Sequence, residues 1–271
     1  PEITSVTLNP SSDVYKSTVG INCTIGGVND VDGEIPTRHY QWTKNNIASV
    51  TTQNISNSTF VKNDVLICQG WVNDSVSNST LINSSSVTVL NSIPTSPTDL
   101  TGQPANLYVG NTLTMSASGS TDADSDSLTY YYQFRNFNDS TTVQAYSTTN
   151  SYTIQATDAH DTIQIYTKAY DGTAYSGEYT ENDTVDNTAP TIPTSGNPTD
   201  PSYVTTDMTM ACSGSTDADG DSLSYYYKFE NLNDSIVRQA YSTDNSYVVV
   251  QADAHNTFNV SCKAYDSALY S

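Results

Sequence analysis

GSTDADSDSLTYYYQFRNFNDS at residues 119–140 returns as GSTDADGDSLSYYYKFENLNDS at 214–235, ninety-five positions later. The register holds without a gap, because QAYSTTNSY, DAH and KAYD come back as QAYSTDNSY, DAH and KAYD. Residues 119–176 therefore align with 214–271, and about 35 of the 58 positions are identical. A period near 95 residues suits one small β-sandwich and is too long for a solenoid repeat of about 20–50. The chain reads as a string of copied domains. A residue that recurs in each copy is more readily architectural than catalytic.

Runs such as VTTDMTMAC, SYVVVQ and TIQIYTKAY are short, β-branched and bounded by Gly, Asn, Asp or Pro. Long helical patterns are absent, so the expected fold class is all-β. At 271 residues the chain suits two or three domains. The formal charge is −20, with 29 acids against 9 bases. Such a surface repels phosphate backbones and argues against nucleic-acid partners. Of the 29 acids 24 are Asp, which points to short acidic loops that turn the chain or hold divalent cations. A saline habitat is the other source of such acidity. No stretch approaches 18 apolar residues, so no membrane span is expected in this segment.

Cys23, Cys68, Cys212 and Cys262 pair within repeats at separations of 45 and 50 and lack the close spacing of a zinc site. Disulfides Cys23–Cys68 and Cys212–Cys262 imply an oxidising, extracellular or cell-surface setting. In the middle copy Ala117 and Thr167 stand where the outer copy has Cys212 and Cys262. A bridge that one repeat can lose is a staple, not a redox centre.

Pro-containing phrases at 1–5, 92–97 and 188–195 mark the boundaries, giving domains of 1–93, 94–190 and 191–271. Their stiff linkers lead us to expect an elongated rod. After KAYDGTAYS the middle domain runs on as GEYTENDTVDN, whereas the third stops at KAYDSALYS. Its last strand is apparently missing. Either the chain is an excerpt of a longer repeat protein, or a neighbouring copy donates that strand and builds a polymer.

In residues 1–93, GINCTI, HYQWTKN and DVLICQG place Cys23, Trp42 and Cys68 as in an immunoglobulin-like sandwich. In that fold the two Cys bridge the sheets and the Trp packs on the bridge. Phe134 and Phe229 take the Trp position in the later copies. The phrase GSTDADGDSLSYYY also resembles the start of PKD-like and cadherin-like repeats. NDVDGEIPTRHYQW with KNDVLICQG looks like the Ig-like repeats of archaeal surface glycoproteins. The resemblance implies tandem immunoglobulin-like β-sandwich domains, with the second and third PKD-like, and says nothing specific about a binding partner.

Asp122, Asp124 and Asp126 recur as Asp217, Asp219 and Asp221, spaced by two along a turn as in loops for hard cations. In an immunoglobulin topology this loop lies beside Asp171 in one copy and Asp266 in the next, and the linker brings Asp186 and Asn187 to the latter. The arrangement resembles the inter-domain calcium sites of cadherin-like repeats, so Ca2+ is the expected ion. The alternative is that these acids only cap turns. Ten N-x-S/T sequons occur, at Asn22, Asn54, Asn57, Asn73, Asn78, Asn83, Asn138, Asn182, Asn233 and Asn259, and are candidate carriers of N-linked glycans. His160 and His255, each inside D-A-H, read as turn residues because a catalytic site copied into every repeat is improbable. No nucleophile elbow, phosphate loop or H-E-x-x-H motif occurs. The chain is not expected to be an enzyme.

The expected function is structural: a subunit or segment of an extracellular surface layer or filament, contacting copies of itself through β-strands. The rival readings are an adhesin or carbohydrate-binding segment, with Tyr131 and Tyr226 as a stacking platform, and an accessory region of a secreted hydrolase.

Overall fold

The computed structural model describes residues 1–200 and 203–271. Among these the only helical turns are two short 3-10 segments, Ala156–Asp158 and Gln251–Asp253. The rest is strand and loop, as the short β-branched runs dictate. The chain divides into two compact units, one formed by residues 1–99, 117–131 and 167–179, the other by 100–116, 132–166 and 180–271.

In the first unit, residues 1–99 build two sheets. Strands Ser5–Asn9, Gly20–Gly26 and Asn54–Ser56 form one, in that order. The other runs Val14–Tyr15, Val87–Leu90, Val65–Asn73, Thr37–Lys44 and Ile47–Ala48, with Ile82–Asn83 also paired to Val65–Asn73. Alternation is strict in Val65–Asn73, where Leu66, Cys68, Gly70 and Val72 are buried and the residues between them half-exposed. That period of two puts every other side chain into the space between the sheets. The Cys23–Cys68 disulfide joins the two sheets. Trp42 stands directly opposite Cys68 in the strand register and is buried, its indole N–H donating to the Thr52 carbonyl at 2.9 Å. A buried indole needs such a partner. At Gly70 the sheets approach closely, since a Cβ there would lie 2.8 Å from Ile25 and Val6 side chains. This is an immunoglobulin-like sandwich.

The second unit contains the pairs Thr112–Thr114 with Ser151–Thr153 and, 95 residues on, Asp207–Thr209 with Ser246–Val248. It also holds the three-stranded sheet Ile236–Ser242, Ser224–Asn231 and Phe258–Tyr265. Cys212 and Cys262 form the second disulfide. Met208, Met210, Cys212, Tyr227, Phe229 and Val249 cluster into its core. Phe134 and Phe229 are both fully buried, but they do not take the Trp42 position. The residue paired with Cys262, as Trp42 is with Cys68, is Tyr227, and Phe229 pairs with Val260 two residues along.

The sheet equivalent to the three-stranded one has four strands, in the order Thr141–Ser147, Thr129–Asn136, Thr162–Tyr170 and Tyr179–Thr184. The extra strand, Tyr179–Thr184, changes burial. Ile163, Ile165 and Thr167 are fully buried, whereas their counterparts Phe258, Val260 and Cys262 are half-exposed. Among the described residues, Phe258–Tyr265 is the margin of its sheet.

Candidate cation nests

The repeated GSTDAD phrase makes a loop whose shape comes from its glycine and its threonine. Gly119 has φ +85° and a Cβ there would fall 1.9 Å from the Thr98 hydroxyl. Only glycine tolerates both conditions. Thr121 accepts the Thr95 N–H at its carbonyl (2.9 Å) and donates its own N–H to the Thr95 hydroxyl (2.7 Å). Thr216 and Thr191 repeat both bonds at 2.9 and 2.8 Å. Each linker is thus laid against its acidic loop in the same way.

In the first nest, Asp122 Oδ1 accepts the N–H groups of Asp124 (2.8 Å) and Asp126 (3.2 Å). Asp124 Oδ2 accepts the Ser92 N–H at 2.6 Å. Asn91 donates from Nδ2 to Asp171 Oδ2 at 2.8 Å, while Asp171 Oδ1 accepts from Thr173 and Ala174 N–H at 2.6 and 2.7 Å. Burial works to raise the Asp171 pKa, but the Asn91 amide and these backbone donors outweigh it and hold it below the ordinary value. Asp122, Asp124 and Asp126 each offer an oxygen within 4.8 Å of the others. Asp122 Oδ2 and Asp124 Oδ1 are buried and accept no hydrogen bond. Unsatisfied buried carboxylate oxygens are costly, and a bound cation would satisfy them.

The second nest keeps most of this plan. Asp217 Oδ1 accepts the Asp219 N–H at 2.8 Å, and Asp217 Oδ2 is buried without a partner. Asp219 accepts from Thr188 N–H (2.5 Å) and Thr188 hydroxyl (3.2 Å). Asn187 donates to Asp266 at 3.0 Å, and Asp266 Oδ1 caps the turn through Ala268 and Leu269 N–H. Against the same burial effect, the Leu269 N–H, Asn187 and Ala268 donors keep the Asp266 pKa low. Asp186, expected beside this nest, does not join it. Its carboxylate accepts from Leu107 N–H at 3.3 Å and its own N–H binds the Leu107 carbonyl. The neighbouring Asn187 faces the acids instead.

Two cationic or imidazole groups that sequence reading did not place here complete the nests. Lys62 Nζ pairs with Asp126 and donates to Asn91 Oδ1 at 2.9 Å. The Asp126 hydrogen bond, aided by the charges of Asp126, Asp124 and Asp171, raises the Lys62 pKa against the opposing effect of burial. In the second nest His160 Nε2 lies 3.0 Å from Asp221 Oδ2, the counterpart of Asp126. His160 and His255 both occupy left-handed backbone, at φ 63° and 62°, as the turn reading requires. Nothing in the sequence around Lys62 signals its role, because the VKND segment has no copy in the later repeats.

Of the ten sequon asparagines, Asn54, Asn57, Asn78, Asn83, Asn138, Asn182, Asn233 and Asn259 are exposed. Asn22 and Asn73 are half-buried, and Asn73 Nδ2 donates to Asn78 Oδ1 at 2.8 Å. Tyr131 and Tyr226 do not stand free as flat platforms. Tyr131 meets Tyr170 and Tyr175 edge-on, and Tyr226 meets Tyr265 and Tyr270 the same way. Among the described residues no helix is long and apolar enough to cross a membrane.

No protein-family model matches the chain, and no curated protein matches it. Among solved structures, the crystal structure of chicken CNTN1 FN1-FN3 domains aligns over 95% of this chain and 92% of its own, at 10% identity and a TM-score of 0.31. A superposition that loose carries no argument, so the immunoglobulin-like fold stands on the sheets, their register and the two bridges.

Proposed function

We propose that this chain is an extracellular structural repeat protein, a subunit or segment of an archaeal-type surface layer or filament whose copies meet through β-strands. Its domains would be 1–93, 94–190 and 191–271, the latter two PKD-like or cadherin-like. One observation carries the reading. The duplication preserves the seating of a linker on an acidic loop, through Asn91–Asp171 and Ser92–Asp124 and again through Asn187–Asp266 and Thr188–Asp219. Selection for a joint copies a joint. A catalytic pocket would instead be expected in a single copy.

The other parts of the proposal follow from chemistry. Calcium fills the nests, taking oxygens of Asp122, Asp124 and Asp126 in one and of Asp217, Asp219 and Asp221 in the other, with Asp171 and Asp266 behind them. Disulfides that form in oxidising surroundings brace the sandwiches. N-linked glycans on the exposed sequons shield the acidic surface. The half-exposed Phe258, Val260 and Cys262 lie along an open sheet margin, the geometry that accepts a strand from another copy.

Imaging the native assembled material at side-chain resolution tests this. The expected map shows a strand from a neighbouring copy hydrogen-bonded along Phe258–Tyr265. A map in which each copy covers that margin with its own continuing chain, and neighbours share no strand, overturns the assembly reading.

A further inference from the structure

The duplication supplies an internal comparison, because two nests of one plan carry different groups at one place. Asp126 receives the ammonium of Lys62, and its counterpart Asp221 receives the imidazole of His160. An ammonium has no lone pair and cannot be a metal ligand, whereas imidazole nitrogen is among the commonest ligands. We propose that the second nest is a site for a divalent metal of the zinc type, held by His160 Nε2 and by the carboxylates of Asp219 and Asp221. It rests on the reading that these nests attract cations and departs from it in the metal that the second one takes.

Three observations carry it. The three donors, one nitrogen and two oxygens, lie within 4.8 Å of one another. Bonds of about 2.0–2.2 Å to a common tetrahedral ion require donors about 3.4 Å apart, inside that limit, and His160 Nε2 and Asp221 Oδ2 already stand 3.0 Å apart. Asp219 is 7% exposed and is oriented by Thr188 and by the Asp217–Asp219 turn, the kind of outer support that fixes a metal ligand. Asp217 Oδ2, two residues before Asp219 in the same loop, is buried and without a hydrogen bond, so this loop keeps a carboxylate oxygen that no donor satisfies.

His160 is presented from a firm base. The turn that carries it is tied by Asp158 N–H to the Gln155 carbonyl (2.9 Å) and Asp161 N–H to the Asp158 carbonyl (3.1 Å). Asp158 itself is buried. The first nest carries its own cation in Lys62 and offers no nitrogen ligand, so the mixed donor set belongs to the second alone. Mixed nitrogen and carboxylate donors suit zinc-type ions, while calcium prefers oxygen throughout.

The test uses the full chain stripped of metal and titrated calorimetrically with zinc chloride and, separately, calcium chloride. NMR of the histidine rings is followed in parallel. Expected are one tight zinc equivalent and a shift confined to one ring. His160→Asn, which tolerates left-handed backbone, should weaken zinc at least about tenfold and leave calcium unchanged. Asp126→Asn in the first nest should leave zinc unchanged. Zinc binding undiminished by His160→Asn, or lost equally with Asp126→Asn, overturns the inference. Calcium binding without zinc binding also overturns it, while the broader reading of the nests survives. Failure of both ions to bind sinks the two together.

Discussion

Tyr247 donates its hydroxyl proton to the buried carboxylate of Asp253 at 2.6 Å, and Tyr152 does the same to Asp158 at 2.7 Å. Each acid sits in a 3-10 turn and also accepts from a buried asparagine, Asn231 or Asn136. Desolvation and the hydrogen bond to Asp253 push the Tyr247 hydroxyl up to about 12. Tyr247→Phe leaves the ring and removes one donor from a buried charge, so the chain should lose about 1–3 kcal/mol near neutral pH. The folded pKa lies above the unfolded value of about 10, so this contribution is complete below pH 10 and disappears as pH rises through the folded value. Urea unfolding of both proteins across that range should show the gap narrowing. A gap that persists unchanged at pH 12 would contradict the assignment.

Arg238 belongs to one copy only; the other has Val143. It donates to Asp253 Oδ1 from Nε (2.8 Å) and pairs with Asp234 at 2.6 Å. Burial tends to raise the Asp253 pKa, but Arg238, Tyr247 and Asn231 together bring it below the ordinary carboxylate value. A depressed folded value stabilises above the unfolded pKa of about 3.9 and is lost as pH falls through the folded one. Arg238→Val leaves burial less opposed, so acid unfolding should begin at a higher pH than in the parent. An unmoved acid midpoint, followed by circular dichroism, would show that Arg238 has no such role.

Ala117 and Thr167 occupy the places of Cys212 and Cys262, and both are buried. The Thr167 hydroxyl accepts or donates no hydrogen bond there. Replacing both with cysteine should recreate the bridge found in the neighbouring copy, where the Cα atoms stand 6.7 Å apart. The gain expected from closing a loop of this length is about 2–4 kcal/mol. Thermal unfolding with and without reductant reads it. Formation of the bridge without a reductant-sensitive gain would count against the equivalence.

Much of this fold was legible because the chain states it twice. The fixed offset announced repeated sandwiches, and Cys23, Trp42 and Cys68 announced how the first is braced. Alternation in the TYYYQFRN run placed Tyr132 and Phe134 inward, where both are buried. The nests were legible only in part. Loop residues recur at an offset of 95, but Asn91 and Ser92 match Asn187 and Thr188 at 96. One residue of slip along an extended linker reverses which side chain faces the loop, so Asp186 turned away and Asn187 turned in. Lys62 reaches Asp126 across 64 residues of sequence, a contact that no local pattern records. The buried carboxylates of Asp158 and Asp253 looked like any other loop acids until their donors were in place.

Lys62 gives the last prediction, since it tests what the first nest is for. Its ammonium neutralises part of a cluster made by Asp122, Asp124, Asp126 and Asp171, and Asp122 Oδ2 and Asp124 Oδ1 still lack any donor. Lys62→Met keeps the aliphatic stem and removes the charge. In chelator the variant should melt earlier than the parent, because mutual repulsion among the carboxylates is then unopposed. Millimolar calcium should recover more of the variant's melting temperature than of the parent's, since the ion takes over the neutralising role and meets no competing ammonium. Equal calcium responses would mean that Lys62 and the ion do not share a site. No calcium response in either protein would leave the acids as turn caps and Lys62 as their only counter-charge.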